Sequence, residues 1–300
     1  MKVLSTTRLP GPAWDELRDV EIGRPIERRP DVEALIVPNE TVDEHVLDLL
    51  PSLRLVANFS VGYDRIDVAA CAARGVAVTN TPGVVDAATA DLAMALMLAT
   101  RRRLVEGDRH VRAGGWTTPW FAGLFLGHDV GGATLGIVGL GRIGSAVARR
   151  ARGFDMRVLY TQRHEVETDL AQYRELDALL GEADVVSLHV PLSAETTGLI
   201  DARRLALLHD GATLVNTARG AIIDEDALVA ELVSGRISAG LDVYAHEPQV
   251  PEELWSLPNL VLAPHLGSAT IETRSAMARI VVDNVLALER GEPLLTPVSA

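Results

Sequence analysis

Three glycines spaced Gly139-x-Gly141-x-x-Gly144 constrain this chain more than any other feature of its 300 residues. They follow a short apolar run at 135–138 and open a helix-like stretch that continues to Arg152. Strand, tight turn and helix, in that order, is the context in which this spacing binds a dinucleotide. Gly139 is expected to make the turn, Gly141 to let the backbone approach a pyrophosphate, and Gly144 to let the helix pack close to the strand. The helix N-terminus then offers unbonded N–H groups and a partial positive charge to phosphate. A methyltransferase can carry a similar pattern, so the glycines alone leave the chemistry open.

A chain of 300 residues that is 48% hydrophobic suits about two soluble domains. Its net charge of −13 argues against non-specific binding to nucleic acid or to an anionic membrane, which leaves a small molecule as the expected partner. Lys2 is the single lysine, so arginine carries the rest of the basic charge. Cys71 is alone, which excludes an internal disulfide and a cysteine metal cluster, and it reads as a small core residue. The N-terminus has no extended apolar h-region, and the apolar run 92–99 is too short to span a bilayer. A cytoplasmic enzyme is the expectation. The acids and most histidines are dispersed and suggest no metal site; His189 and His246 read as structural or cleft-lining.

The first third alternates strand-like runs (3–7, 34–37, 53–59, 76–79) with helical ones (13–18, 43–50, 65–74). Residues 87–112 read as one long helix, and 114–123 as an irregular, aromatic-bearing excursion. Alternation resumes after residue 134, with strands expected at 135–138, 157–161, 185–190, 213–216, 238–242 and 260–262. Helices are expected at 143–152, 176–180, 203–208 and 226–234, and an amphipathic helix at 271–289. Such alternation predicts an α/β protein with two parallel sheets and a cleft between them. Ligands in such sheets bind beyond the carboxyl ends of the strands.

Polar residues cluster where several strands end. One strand runs out into Thr217-Ala-Arg219-Gly220, another into Asp242 and Glu247, a third into Pro264-His265-Leu-Gly267. Arginine grips a carboxylate through two parallel hydrogen bonds and polarises a neighbouring carbonyl. Histidine can hand a proton to the carbonyl oxygen once hydride arrives, and a carboxylate beside it favours the imidazolium and fixes the ring. The set fits reduction of a 2-oxoacid.

Taken together the chain resembles the D-2-hydroxyacid dehydrogenase family over nearly its whole length. The resemblance rests on Ser60-Val-Gly-Tyr-Asp64, Asn80-Thr-Pro-Gly83, the glycine turn, His189-Val-Pro-Leu192, Asn216-Thr-Ala-Arg-Gly220, Gly240-Leu-Asp-Val-Tyr244, Glu247-Pro248 and Pro264-His-Leu-Gly-Ser268. Within the family it looks most like the glyoxylate/hydroxypyruvate reductases. The resemblance implies Arg219 as the substrate-binding arginine, His265 as acid/base, Glu247 as its paired carboxylate, and Asp242 as an aspartate near the nicotinamide. It implies that Val61 and Gly62 hold the substrate carboxylate through backbone N–H groups. By the same resemblance, Arg142 and Ile143 are expected beside the pyrophosphate, and Thr217 and Gly267 in segments lining the nicotinamide end.

The fold it implies is two doubly wound domains. A Rossmann cofactor domain spans 99–280, and a discontinuous flavodoxin-like substrate domain comprises 1–98 and 281–300. The final helix is placed in the first domain by resemblance alone. A homodimer is implied as well, with Trp120, in an arm of the dimer, as the candidate that reaches a substrate. Competing readings are a phosphoglycerate-type or broad D-2-hydroxyacid dehydrogenase and, from another class, a nicotinamide-sensing corepressor-like protein.

NAD-specific turns carry an acid about 20 positions beyond the first glycine, on the adenosine ribose. Here that region is Tyr160-Thr-Gln-Arg163, without an acid. Thr161 and Arg163 would welcome a 2′-phosphate, so NADP(H) is expected as the preferred cofactor, with NAD(H) as the second.

Overall fold

The computed structural model describes residues 1–24, 26–119 and 122–298, and every structural statement below concerns those residues. The chain divides into two compact units, Met1–Val85 with Ser268–Ala300, and Asp86–Gly267.

The first unit holds a parallel sheet of β1 (Val3–Ser5), β2 (Val20–Ile22), β3 (Ala34–Val37), β4 (Leu55–Asn58) and β5 (Ala77–Thr79). Its order is β2-β1-β3-β4-β5, the flavodoxin-like arrangement. β3 and β4 are buried at every position, as unbroken apolar runs covered on both faces should be. Helices α1 (Glu44–Leu49) and α2 (Val68–Ala73) start where Asp43 and Asp67 accept a hydrogen bond from the N–H three residues on. A 3-10 turn at Pro12–Glu16 stands where a helix at 13–18 was expected. β2 is a strand that the sequence reading missed, because Val20–Ile22 is short and lies at the sheet edge.

The second unit opens with α3 (Asp86–Arg101) and α4 (Leu104–Arg112). The expected single helix over 87–112 is therefore broken. Arg103 is left-handed at φ 51°, and its guanidinium holds the break by bonding Glu106 and the Leu126 carbonyl and lying over the Phe125 ring. There follow β6 (Thr134–Val138), α5 (Arg142–Arg152), β7 (Arg157–Thr161), β8 (Gln172–Tyr173), α6 (Leu176–Glu182), β9 (Val185–Leu188) and α7 (Ala202–Leu205). The unit ends with β10 (Thr213–Asn216), α8 (Glu225–Val233), β11 (Ser238–Leu241) and β12 (Leu260–Leu262). All pairs in this sheet are parallel, in the order β12-β11-β10-β9-β6-β7-β8. The order reverses between β9 and β6, the topological switch point of a Rossmann domain.

The domain boundaries differ from those expected. A cut between 98 and 99 would run through α3, and one between 280 and 281 through α9 (Ile271–Arg290). A helix packs as a rigid rod, so each falls whole into one unit. α3 lies against β10, β11 and α5 of the second unit, whereas α9 lies against β4 and the Pro12–Glu16 turn of the first. The chain's last stretch closes the first sheet's β5 edge: Val298 N–H donates to the Val78 carbonyl at 2.8 Å, and Thr79 pairs antiparallel with Pro297.

Candidate active site

β10, β11 and β12 are adjacent and parallel, so their carboxyl ends lie side by side and bring Arg219, Asp242, Glu247 and His265 to one edge of one sheet. Each turn there is shaped by a buried side chain. Asn216, fully buried at the end of β10, accepts from Ala218 N–H at 3.0 Å and donates to the Arg219 carbonyl at 2.9 Å. That Asx clamp bends the chain and sends Arg219 off the strand. Gly220 then presses on the Tyr244–Ala245 backbone so closely that a Cβ would fall 1.9 Å from the Tyr244 carbonyl carbon. The segment carrying Arg219 is thereby seated on the loop leading to Glu247.

Glu247 bonds both ways. Its Oε2 lies 2.8 Å from His265 Nδ1, and its Oε1 accepts from Tyr244 N–H at 3.2 Å. Burial raises the Glu247 carboxyl, but the bond and charge of His265, the Tyr244 N–H and the charge of Arg219 outweigh it and hold the group below the ordinary carboxylate range. Glu247 is thus an anion beside the imidazole, whose own side chain is 45% exposed.

His265 is left-handed at φ 55°, a conformation that costs an L-residue about 1–2 kcal/mol. Asp242 supplies the compensation. Its carbonyl accepts from His265 N–H at 2.9 Å, and its two carboxylate oxygens accept from Leu266 N–H at 2.6 Å and Gly267 N–H at 2.8 Å. Burial raises the Asp242 carboxyl above its ordinary value despite these bonds and the charge of His265. Tyr244 joins the ends of β11 and β12 through bonds from its hydroxyl to the Ala263 and Leu241 carbonyls at 3.0 and 3.4 Å, and burial pushes its phenol up to about 12.

The glycine turn follows β6, across the switch point. Gly139 sits at φ 98°. A Cβ on Gly144 would meet the Gly139 carbonyl oxygen at 2.1 Å, whereas one on Gly141 would meet nothing within 4 Å. Gly139 makes the turn, Gly144 packs against it, and the space beside Gly141 is open. Gly141 caps α5 without any side-chain bond, and Arg142 and Ile143 form its first turn. Open space over an uncapped helix N-terminus suits a pyrophosphate. The Thr217 hydroxyl, buried at the end of β10 without a partner, adds a polar atom that a bound carboxamide or hydroxyl can satisfy. The residues fit a nicotinamide dinucleotide.

At the end of β7, Thr161 is buried and its carbonyl accepts from Gly139 N–H at 2.8 Å. Sequence reasoning overlooked Gln162, whose Oε1 accepts from Leu140 N–H at 3.2 Å and so ties the β7 end to the glycine turn. Arg163 is exposed, and its charge contributes to the lowered carboxyl of Glu195 on the segment after β9. His189 finds a partner in Ser187, Nε2 to Oγ at 2.8 Å, and burial pushes the imidazole down to about 4.

Val61 and Gly62 belong to the first unit. Two amides draw their carbonyls inward: Asn80 donates to the Val61 oxygen and Asn58 to the Gly62 oxygen, each at 2.8 Å. In a planar trans peptide the N–H points opposite to the C=O, so the N–H groups of Gly62 and Tyr63 are turned away from those amides. Asn80 is itself held by Thr296, whose hydroxyl donates to its carbonyl at 2.7 Å and accepts from Asn284 at 3.0 Å. Sequence reasoning missed Asn58, Asn80 and Asn216 as positioning groups; their shared signal is an amide at a strand end before a turn. Trp120 lies outside the described residues, and Trp116 is exposed.

A dinucleotide cradle and an arginine–glutamate–histidine set on one Rossmann sheet define a nicotinamide-dependent oxidoreductase. The chain belongs to the D-isomer specific 2-hydroxyacid dehydrogenases, whose NAD-binding domain matches residues 94–267. A glyoxylate reductase of Pyrococcus furiosus is 49% identical in an alignment that covers 93% of this chain and 86% of that one. Among solved structures, a protein from Thermus thermophilus superposes with a TM-score of 0.94 at 44% identity, covering 100% of both chains. An NADPH-dependent glyoxylate/hydroxypyruvate reductase from Sinorhizobium meliloti, solved with NADP and malonate, superposes with a TM-score of 0.89 at 36% identity, covering 99% of this chain and 96% of that one. No helix among the described residues is long and apolar enough to cross a membrane.

Proposed function

We propose that the protein reduces small 2-oxoacids, glyoxylate and hydroxypyruvate first, to 2-hydroxyacids in the cytoplasm, with NADPH preferred over NADH. The Glu247–His265 pair carries this reading, since a carboxylate 2.8 Å from Nδ1 orients the ring and leaves Nε2 for the substrate oxygen. The bound reduced nicotinamide supplies the hydride. Arg219 holds the substrate carboxylate and polarises its carbonyl. His265 donates the proton from Nε2 to the carbonyl oxygen, and the resulting neutral ring stays hydrogen-bonded to Glu247 through Nδ1–H. The inward-drawn carbonyls of Val61 and Gly62 support the reading of that loop as a carboxylate nest. Arg163, near an end of β7 that carries no acid, supports the preference for a 2′-phosphate.

Exposed apolar side chains of the 104–126 segment, Leu104 at 65%, Val111 at 55%, Trp116 at 61% and Leu126 at 68%, support a homodimer through that arm. The decisive experiment is a panel of 2-oxoacids assayed with both reduced nicotinamides. Glyoxylate and hydroxypyruvate should give the highest kcat/KM, and NADPH should outperform NADH. Equal or better use of NADH would overturn the cofactor preference, and inactivity on the panel would overturn the reading as a whole.

A further inference from the structure

Glu225 is the first residue of α8, a position where an acid ordinarily serves the helix N-terminus. That task is already taken. Asp224 caps the helix by accepting from Ala227 N–H at 3.1 Å. Glu225 instead reaches off the helix, and its Oε1 accepts from the backbone N–H of Ala245 at 2.9 Å. The neighbouring N–H, that of Tyr244, is held by Glu247 itself at 3.2 Å. Two carboxylates thus grip two consecutive N–H groups of one loop, one from outside and one from within.

That loop also receives Gly220, which packs against the Tyr244–Ala245 backbone with no room for a side chain. Gly220 and Glu225 lie on the same short segment that begins with Arg219. The segment therefore touches the Glu247 loop twice, once by van der Waals contact and once by a charge-assisted hydrogen bond. We propose that Glu225 is a positioning residue: it locks the loop bearing Glu247 to the segment bearing Arg219, and so sets the geometry of the Glu247–His265 pair. The inference rests on the reading of His265 as proton donor given above. The other charged groups facing this pair are Asp242, beneath the His265 turn, and Arg219, whose charge acts on Glu247. Neither touches Ala245 N–H.

The test is a pH profile of 2-oxoacid reduction between about pH 5 and 9 for the wild type, E225A and E225Q, alongside NADPH binding and melting temperature. Without the anchor, Glu247 is less well held against the imidazole, so E225A should lower kcat by about tenfold or more and move the alkaline fall of the profile to lower pH. NADPH affinity should stay within about twofold, because the glycine turn proposed to cradle the pyrophosphate follows β6, away from the Ala245 anchor. In E225Q the amide oxygen can still accept from Ala245 N–H, so it should recover most of kcat and the wild-type profile. If E225A fails to fold, E225D, whose carboxylate is one methylene short of Ala245, replaces it with the same expected direction. An alkaline fall that E225A or E225D leaves unmoved overturns the role of Glu225, as does an E225Q enzyme as impaired as E225A. A wild-type profile with no alkaline fall would instead overturn His265 as proton donor.

Discussion

Glu247 Oε2 stands 2.8 Å from His265 Nδ1 across 18 residues of chain, and the two side chains differ in their access to water: 16% of the glutamate is exposed against 45% of the histidine. The acid is sheltered and the ring is open. A sheltered anion acts on its neighbour with little screening, while the open ring can meet a substrate. Replacing Glu247 with glutamine removes the charge and keeps the size. Reduction should fall by about a hundredfold in kcat while NADPH affinity changes little. Steady-state kinetics with a cofactor titration checks this, and a kcat within about twofold of wild type would separate Glu247 from the chemistry.

His189 provides a pH signature of the fold, separate from catalysis. Its imidazole is pushed by burial from an ordinary 6.5 down to about 4. The unfolded chain therefore binds a proton between those values that the folded chain refuses, so stability rises with pH across that window. The contribution is fully present above about pH 6.5 and is lost as pH falls towards 4. Denaturant unfolding at stepped pH should show this slope in the wild type and a flatter one in His189→Gln. Parallel slopes would place His189 in contact with water.

The three glycines of the turn after β6 differ in the room a side chain would find. A Cβ at Gly144 collides with the Gly139 carbonyl at 2.1 Å, whereas one at Gly141 meets no protein atom within 4 Å. Gly144→Ala should therefore destabilise the domain by about 1–3 kcal/mol and lower its melting temperature. Gly141→Ala should leave the melting temperature of the free protein within a degree or so while weakening NADPH binding by about tenfold, since its methyl group occupies the space a pyrophosphate needs. Differential scanning fluorimetry with and without NADPH distinguishes the two. Equal effects on the free protein would contradict the assignment.

Much of this was legible in the residues themselves. The glycine spacing, the apolar strand runs and the polar strand ends are local patterns, and local patterns are set by backbone sterics and by the two-faced burial of parallel strands. Arg219, Glu247 and His265 stand out locally as polar residues beyond apolar runs, and the family resemblance supplies the roles proposed for them. Other features were not local. The kink at Arg103 depends on Glu106, Leu126 and Phe125 coming back to meet its guanidinium. The whole of α9 joins the first unit because its face is complementary to β4, a strand more than 200 residues earlier. Asp242, read as a group near the nicotinamide, turns out to have both carboxylate oxygens committed to the turn that carries His265.

The sequence by itself determined the kind of elements, their alternation, the dinucleotide turn and which polar side chains stand at the strand ends. Only the tertiary structure decided which buried amides and carboxylates hold those side chains in place. Asn216 sets the Arg219 turn, Asp242 sustains a left-handed His265, Glu225 grips Ala245, and Asn58 with Asn80 orients the Val61–Gly62 peptides. The physical reason is one of range. Propensity and periodicity act over a few neighbouring residues, whereas a hydrogen bond to a buried backbone group is worth making only once packing has excluded water from both partners.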